Sequence, residues 1–276
     1  MFAAATTIGV PSIAEPKALK PKIKKSLKIE MVKEGDTIMD KFKLLKELGY
    51  DGVELSSPHE FNHREILEAK QKTGLEIPGV VNSQHWKLPL SHPDPAIRKQ
   101  CSDSVITSMN DCKMYGGTTV LLVAGVVNEK ISYADAYKRT QEEIRKLLPY
   151  AEKTGIKIAI ENVWNNFLIS PVEAARYVDE INHPLLGWYF DIGNILRYGW
   201  PEHWIETLDK RIMKLDVKEY SRKKQNDEGL WKGFDVELME GDNNWPVIMQ
   251  SLENWLQWLG FRRSAWRRQR KAYSNY

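Results

Sequence analysis

The stretch Ala151-Glu152-Lys153-Thr154-Gly155-Ile156-Lys157-Ile158-Ala159-Ile160-Glu161 holds the phrase from which the fold is read. The end of an amphipathic helix runs into a glycine able to take the left-handed turn that closes a helix. A short apolar run follows and ends in a carboxylate. The phrase recurs as LKELGYDGVEL (residues 45–55), AKQKTGLEIPGVV (69–81) and CKMYGGTTVLLV (112–123), which places Gly49, Gly74 and Gly116 beside Gly155 as helix stops. Apolar runs without polar alternation suit strands covered on both faces. Strands alternating with helices at this spacing imply a parallel sheet.

Extending the count gives strands near 28–32, 51–56, 77–82, 118–123, 156–161, 186–191 and 212–217, and a last helix at about 244–259 opened by Asp242, Asn243, Asn244 and Pro246. The first helix shows Ile38, Phe42, Leu45 and Leu48 on one face, and Thr37-x-x-Asp40 reads as a capping box. The chain has 276 residues, close to the ~250 of a barrel of eight parallel strands ringed by helices. The expected class is therefore α/β, a (β/α)8 TIM barrel with its eighth strand altered or missing. After Gly260 comes Phe-Arg-Arg-Ser-Ala-Trp-Arg-Arg-Gln-Arg, too basic for a strand buried on both faces. A doubly wound open sheet is the alternative, but no glycine-rich phosphate loop follows the first strand.

Composition narrows the class. Apolar residues at 42% and charged residues at 28% suit a globular enzyme. No run approaches the ~20 apolar residues of a membrane span, so no membrane partner is expected. The formal charge of +3 is local, because residues 261–276 hold six bases (Arg262, Arg263, Arg267, Arg268, Arg270, Lys271) and no acid. The rest of the chain is slightly acidic, which argues against a nucleic-acid partner. Cys101 and Cys112 fall in one predicted helix, about 16 Å apart along its axis, too far for a disulfide. Residues 1–27 divide into an export-signal remnant ending in Ser12-Ile13-Ala14, without the usual basic start, and a Lys/Pro linker. That reading makes the protein periplasmic or exported if the signal is genuine but truncated, and cytoplasmic otherwise.

Candidate chemistry collects at the strand ends, which form the active rim of a parallel barrel. The second strand offers Glu54, the third Asn82 and His85, the fifth Glu161 and Asn162. The sixth offers Asp191 and Asn194, the seventh Asp216 and Lys218. A carboxylate-rich set with an occasional imidazole suits Mg²⁺ or Mn²⁺ ahead of Zn²⁺. Such an ion polarises a carbonyl and its neighbouring hydroxyl, and an adjacent acid or imidazole moves the proton between them. Plainer roles exist for single residues: a carboxylate capping the next helix, His85 packed on Trp86, Lys218 paired with Glu219 or Glu237. Trp86, Trp164 and Trp231 fall on rim loops, where flat sugar faces stack on indoles.

These motifs resemble the xylose-isomerase-like barrel family, often called sugar phosphate isomerases/epimerases. The resemblance runs from about residue 28 to 260 and rests on ELGYDGVEL, VVNSQHWKLPLSHPDPAIR, IAIENVWNNF, WYFDIGN, KLDVKEY and GFDVELMEGDNNWPVIM, in that order. It implies one divalent metal ion held from the fifth to eighth strands. Carried over, the ligands are Glu161, Asp191 and Asp216. Asp216 stands where relatives usually have histidine, which makes the site harder and more anionic. The eighth-strand glutamate of the family has no counterpart, since no acid follows Glu253.

The resemblance implies a metal-dependent sugar isomerase or epimerase that abstracts the proton next to a carbonyl through an enediolate. Glu161, His85 and Lys218 are then the catalytic candidates, and Glu54, Trp86, Asn162, Trp164 and Asn194 the substrate-binding ones. Elimination of the aglycone from a 3-keto-glycoside uses the same chemistry. A non-catalytic sugar-binding barrel is the alternative from another class. An abasic-site endonuclease of related fold needs a multi-zinc, histidine-rich centre, and the chain has six histidines. The partner expected is a small sugar or keto-sugar; oligomeric state stays open.

Overall fold

The computed structural model describes residues 24–258. Seven strands, β1 (Ser26–Lys28), β2 (Gly52–Ser57), β3 (Gly79–Asn82), β4 (Thr119–Leu122), β5 (Lys157–Glu161), β6 (Leu186–Asp191) and β7 (Ile212–Asp216), pair in sequence order. Every pairing is parallel, with a register shift between Trp188 and Tyr189. Between them run α1 (Ile38–Glu47), α2 (His63–Thr73), α3 (Pro95–Met114), α4 (Tyr133–Thr154), α5 (Pro171–Ile181) and α6 (Pro201–Leu208), with α7 (Arg222–Glu228) and α8 (Trp245–Trp258) after β7. The sheet curls until Lys28 Nζ on β1 stands 2.6 Å from Asp216 Oδ2 on β7. This is the barrel expected from the repeated phrase. The region expected to supply the eighth strand, the basic tail, and the signal-like segment lie outside the described residues.

The local signals behave as physics requires. Thr37 and Asp40 close the capping box of α1 reciprocally. Gly74 and Gly155 end α2 and α4 in the left-handed conformation, at φ 68° and 73°. Gly49 and Gly116 also take positive φ. Ile38, Phe42 and Leu45 are buried on α1, but Leu48, grouped with them on the core face, is 63% exposed. It is the residue on which the helix ends, where the chain leaves the face that packs on the sheet. Cys101 and Cys112 are both buried and free. Asp242, expected to open the last helix, instead accepts the Arg222 N–H at the start of α7.

The main core lies between sheet and helices, with Phe42, Ile66, Val105, Ile144, Tyr177, Trp188 and Ile205 among its members. A second cluster, Leu121, Ala159 and Tyr189, packs apart from it. Beside Tyr189 runs a buried polar strut: its hydroxyl donates to Glu54, 2.9 Å from either carboxylate oxygen, and Lys214 Nζ lies 3.5 Å from Glu54 Oε1. The strut ties β2, β6 and β7 across the barrel, two residues before the ends of β6 and β7.

Candidate metal centre

Parallel strands that end in step deliver their last side chains to one rim, and the period of two turns every second residue inward. On β6 that period selects Tyr189 and Asp191. On β7 and its extension it selects Lys214, Asp216 and Lys218. Glu161 is the last residue of β5 and Asp191 and Asp216 are Cα partners at the ends of β6 and β7. Each of the three offers a carboxylate oxygen within 4.8 Å of those of the other two, and Glu161 and Asp191 are buried. The structure thus brings together the three residues that the sequence analysis named as ligands. Three hard oxygen donors converging from consecutive strand ends fit a divalent cation of the Mg²⁺ or Mn²⁺ type.

Two lysines complete the cluster. The Lys218 ammonium is hydrogen-bonded to Asp191 and lies 3.8 Å from Glu161 and 3.9 Å from Asp216. Lys28, which sequence reading did not single out, pairs with Asp216. Burial pushes the Glu161 carboxyl up to about 8, with the Asp191 charge adding to it. Burial likewise raises Asp191, against the pull of Lys218. Burial opposes the charges on both lysines, but the carboxylates outweigh it and hold the ammonium groups above their ordinary range.

Asn162 and Asn194, read as substrate contacts, have their side chains committed elsewhere. Asn162 Oδ1 accepts the Asp191 N–H at 2.9 Å and its Nδ2 donates to the Asp191 carbonyl at 2.7 Å. The Asn194 N–H donates to Asp191 Oδ1 at 2.8 Å, and its Nδ2 to the Asn162 carbonyl at 2.9 Å. Together they fix the Asp191 main chain and carboxylate. Trp164 extends this brace, since its Nε1 donates to the Asn194 carbonyl at 2.8 Å.

The remaining candidates separate by position. Glu54 is turned to Tyr189 and Lys214 in the polar strut. His85 is buried, and its Nδ1 accepts the Val123 N–H at 3.2 Å. Burial, aided by Lys28, lowers its pKa to about 4, so the ring is neutral at physiological pH and carries its proton on Nε2. Trp86 stands edge-on to His85 and is half exposed. Trp164 packs against Trp231 and Phe234 at centroid distances of 4.9 and 5.1 Å, with the Arg197 guanidinium 5.0 Å over its ring. Trp231 itself is 69% exposed.

Glu219 proves to be the organiser of the loop after β7. It is buried and accepts the N–H groups of Tyr220, Asn243 and Met239 and the Trp245 indole. That leaves it no part in the ion pair with Lys218 that the sequence had offered as the plainer reading. Its only sequence signal was a carboxylate beside the Lys-x-Asp-x-Lys alternation of residues 214–218. The same alternation, with Lys28 at the end of β1, could have flagged the two lysines.

A model of the xylose isomerase-like TIM barrel family matches residues 42–264. Among curated proteins, the chain is 24% identical over 173 residues to L-ribulose-5-phosphate 3-epimerase UlaE of Shigella flexneri, a match covering 58% of this chain and 61% of that protein. Among solved structures, it superposes on a D-tagatose 3-epimerase-like protein with a TM-score of 0.70 at 18% identity, covering 84% of this chain and 86% of that one. It superposes on 3-keto-D-glucoside 4-epimerase YcjR from E. coli with a TM-score of 0.70 at 14% identity, covering 85% and 88%. At these identities the superpositions establish a shared fold.

Proposed function

Because this chain belongs to the xylose isomerase-like TIM barrel family, we propose that it is a divalent-metal-dependent sugar epimerase or isomerase acting on a keto-sugar. The observation that carries the reading is the convergence of Glu161, Asp191 and Asp216 at the ends of β5, β6 and β7. Those residues would hold the ion, Mn²⁺ or Mg²⁺ ahead of Zn²⁺. When bound, such an ion polarises the substrate carbonyl and stabilises the negative charge left by proton loss.

The chain's own groups supply the rest. Glu161, a carboxylate at the barrel rim, is placed to take a proton from the carbon next to the carbonyl and to give it back. Inversion of that carbon takes a second proton donor on its opposite face, whereas return by Glu161 to the neighbouring carbon isomerises the sugar. Neutral His85 offers its Nε2–H to a substrate oxygen, and the Lys218 ammonium stands ready for an oxygen that gains charge. Asn162, Asn194 and Trp164 act as positioning residues through Asp191.

A second reading, elimination from a 3-keto-glycoside, is supported by the aromatic shelf of Trp164, Trp231 and Phe234 beside the brace on Asp191. The exposed indole of Trp231 extends that shelf outward, where an aglycone or second sugar joined to the reacting ring can stack. In that reaction the same proton is removed and the aglycone departs with its bonding electron pair.

The deciding experiment incubates Mn²⁺-loaded protein in D₂O with a panel of ketohexoses and 3-keto-glycosides. Deuterium incorporation next to the carbonyl, with epimer formation or aglycone release, supports one reading or the other. Sugar binding without exchange or release from any substrate would refute both and leave a sugar-binding barrel.

A further inference from the structure

The Lys218 ammonium lies against the three carboxylates that a bound ion would have to bond. It is hydrogen-bonded to Asp191 and is within 4.0 Å of an oxygen from both Glu161 and Asp216. A divalent ion bonding the same three carboxylates at about 2.0–2.6 Å from each oxygen must enter the same triangle. Two cations cannot share it without strong repulsion. The two lysines of the cluster are not equivalent in this respect. Lys28 contacts Asp216 from the β1 side, whereas Lys218 reaches all three carboxylates.

The surroundings allow one of the two to move. The main chain of Lys218 is pinned, because its carbonyl accepts Asn243 Nδ2 at 2.8 Å. Its Cβ passes Gly193 so closely that a Cβ added to that glycine would stand 2.6 Å away. Beyond that point lies a flexible four-carbon stem, and the side chain is 39% exposed, more open than the 0% of Asp191 or the 8% of Glu161. The ammonium can therefore swing into solvent while the backbone and the carboxylates stay in place.

We propose that Lys218 is a tethered competitor for the metal site: its ammonium offsets part of the carboxylates' charge when no ion is bound, and a divalent ion binds by displacing it to the mouth. The inference rests on the metal-site reading of Glu161, Asp191 and Asp216. Entry of the ion and release of the lysine are then one event. The freed ammonium is delivered to the side from which substrate arrives, where it can meet an oxygen that gains charge.

The test compares Mn²⁺ affinity by calorimetry at fixed pH for the parent, Lys218→Met and Lys28→Met, and maps reductive methylation of Lys218 in the parent with and without Mn²⁺. Removing the competitor should tighten Mn²⁺ binding by about tenfold or more, the scale of one unit charge a few ångströms from the ion. Lys28→Met should gain clearly less, since Lys28 does not stand in the triangle. Lys218 should methylate faster in the Mn²⁺-bound parent. Equal or weaker binding by Lys218→Met, an equal gain in Lys28→Met, or methylation not accelerated by Mn²⁺ would each overturn the proposal. Mn²⁺ binding by neither the parent nor Lys218→Met would instead overturn the metal-site reading and this inference with it. The methylation arm uses the unaltered protein, so it holds even where a variant folds poorly.

Discussion

Replacing Glu161 by glutamine should make the metal-stripped protein more stable at pH 8 while weakening its grip on Mn²⁺. The Glu161 carboxyl lies near 8 in the fold against an ordinary 4.5, chiefly because burial disfavours its charge. Between those values the native state holds a proton that the unfolded chain releases, so stability falls as pH rises. The advantage of the protonated form is complete below about 4.5 and gone above about 8. A difference of about three and a half pH units corresponds to about 5 kcal/mol, of which about 3 kcal/mol is lost by pH 7. Glutamine mimics the protonated form and removes this slope. Urea unfolding in the presence of a chelator at pH 5, 7 and 8.5 should show the parent losing several kcal/mol across the series. Glu161→Gln keeps the raised Asp191 but loses the Glu161 share of the slope, so it should lose less and overtake the parent. Mn²⁺ affinity should meanwhile fall at least ~100-fold, beyond the 10–100-fold seen when only a ligand's support is lost. A variant less stable than the parent at pH 8.5 in chelator would refute the reasoning, since it would mean the fold stabilises Glu161 as an anion. Unchanged metal occupancy would remove Glu161 from the ligand set.

Three further outcomes are expected. Because Glu161 must lose its proton to bind an ion, Mn²⁺ affinity should rise with pH up to about 8 and level off above it; calorimetry in buffers of different ionisation enthalpy should detect proton release below that point and little above. Asp216→His alone should weaken divalent-ion binding, because it leaves Lys28 facing an imidazole; adding Lys28→Met should restore binding and shift preference toward Zn²⁺ or Co²⁺, read by competition against Mn²⁺. Asn162→Leu strips both hydrogen bonds from the buried Asp191 main chain and should cost about 2–4 kcal/mol, seen as a midpoint lowered by roughly 5–10 °C, with no change in Tm pointing to water in place of the amide.

The strands and the three rim carboxylates were legible in the chain because each is a local matter. A run of five residues of which four are apolar, with a glycine before it, as in Gly155–Glu161, has little choice but a buried strand, and parallel strands that end in step place their final carboxylates on one rim. Glu161, Asp191 and Asp216 needed only that rule. Lys28 did not follow from it, being separated from Asp216 by 188 positions; nor did the bonds of Glu54 to Tyr189, 135 positions away, and to Lys214, 160 away. The two-residue period tells which face a side chain takes, but its partner across the barrel depends on how far the sheet curls and how the strands are staggered. The hydrogen bonds of Asn162, Asn194 and Glu219 lay out of reach of the sequence for a related reason. An amide or carboxylate near a strand end is chemically able to meet a substrate or a backbone group, and only the closing of loops around it, which sets the N–H and carbonyl groups within reach, decides between them.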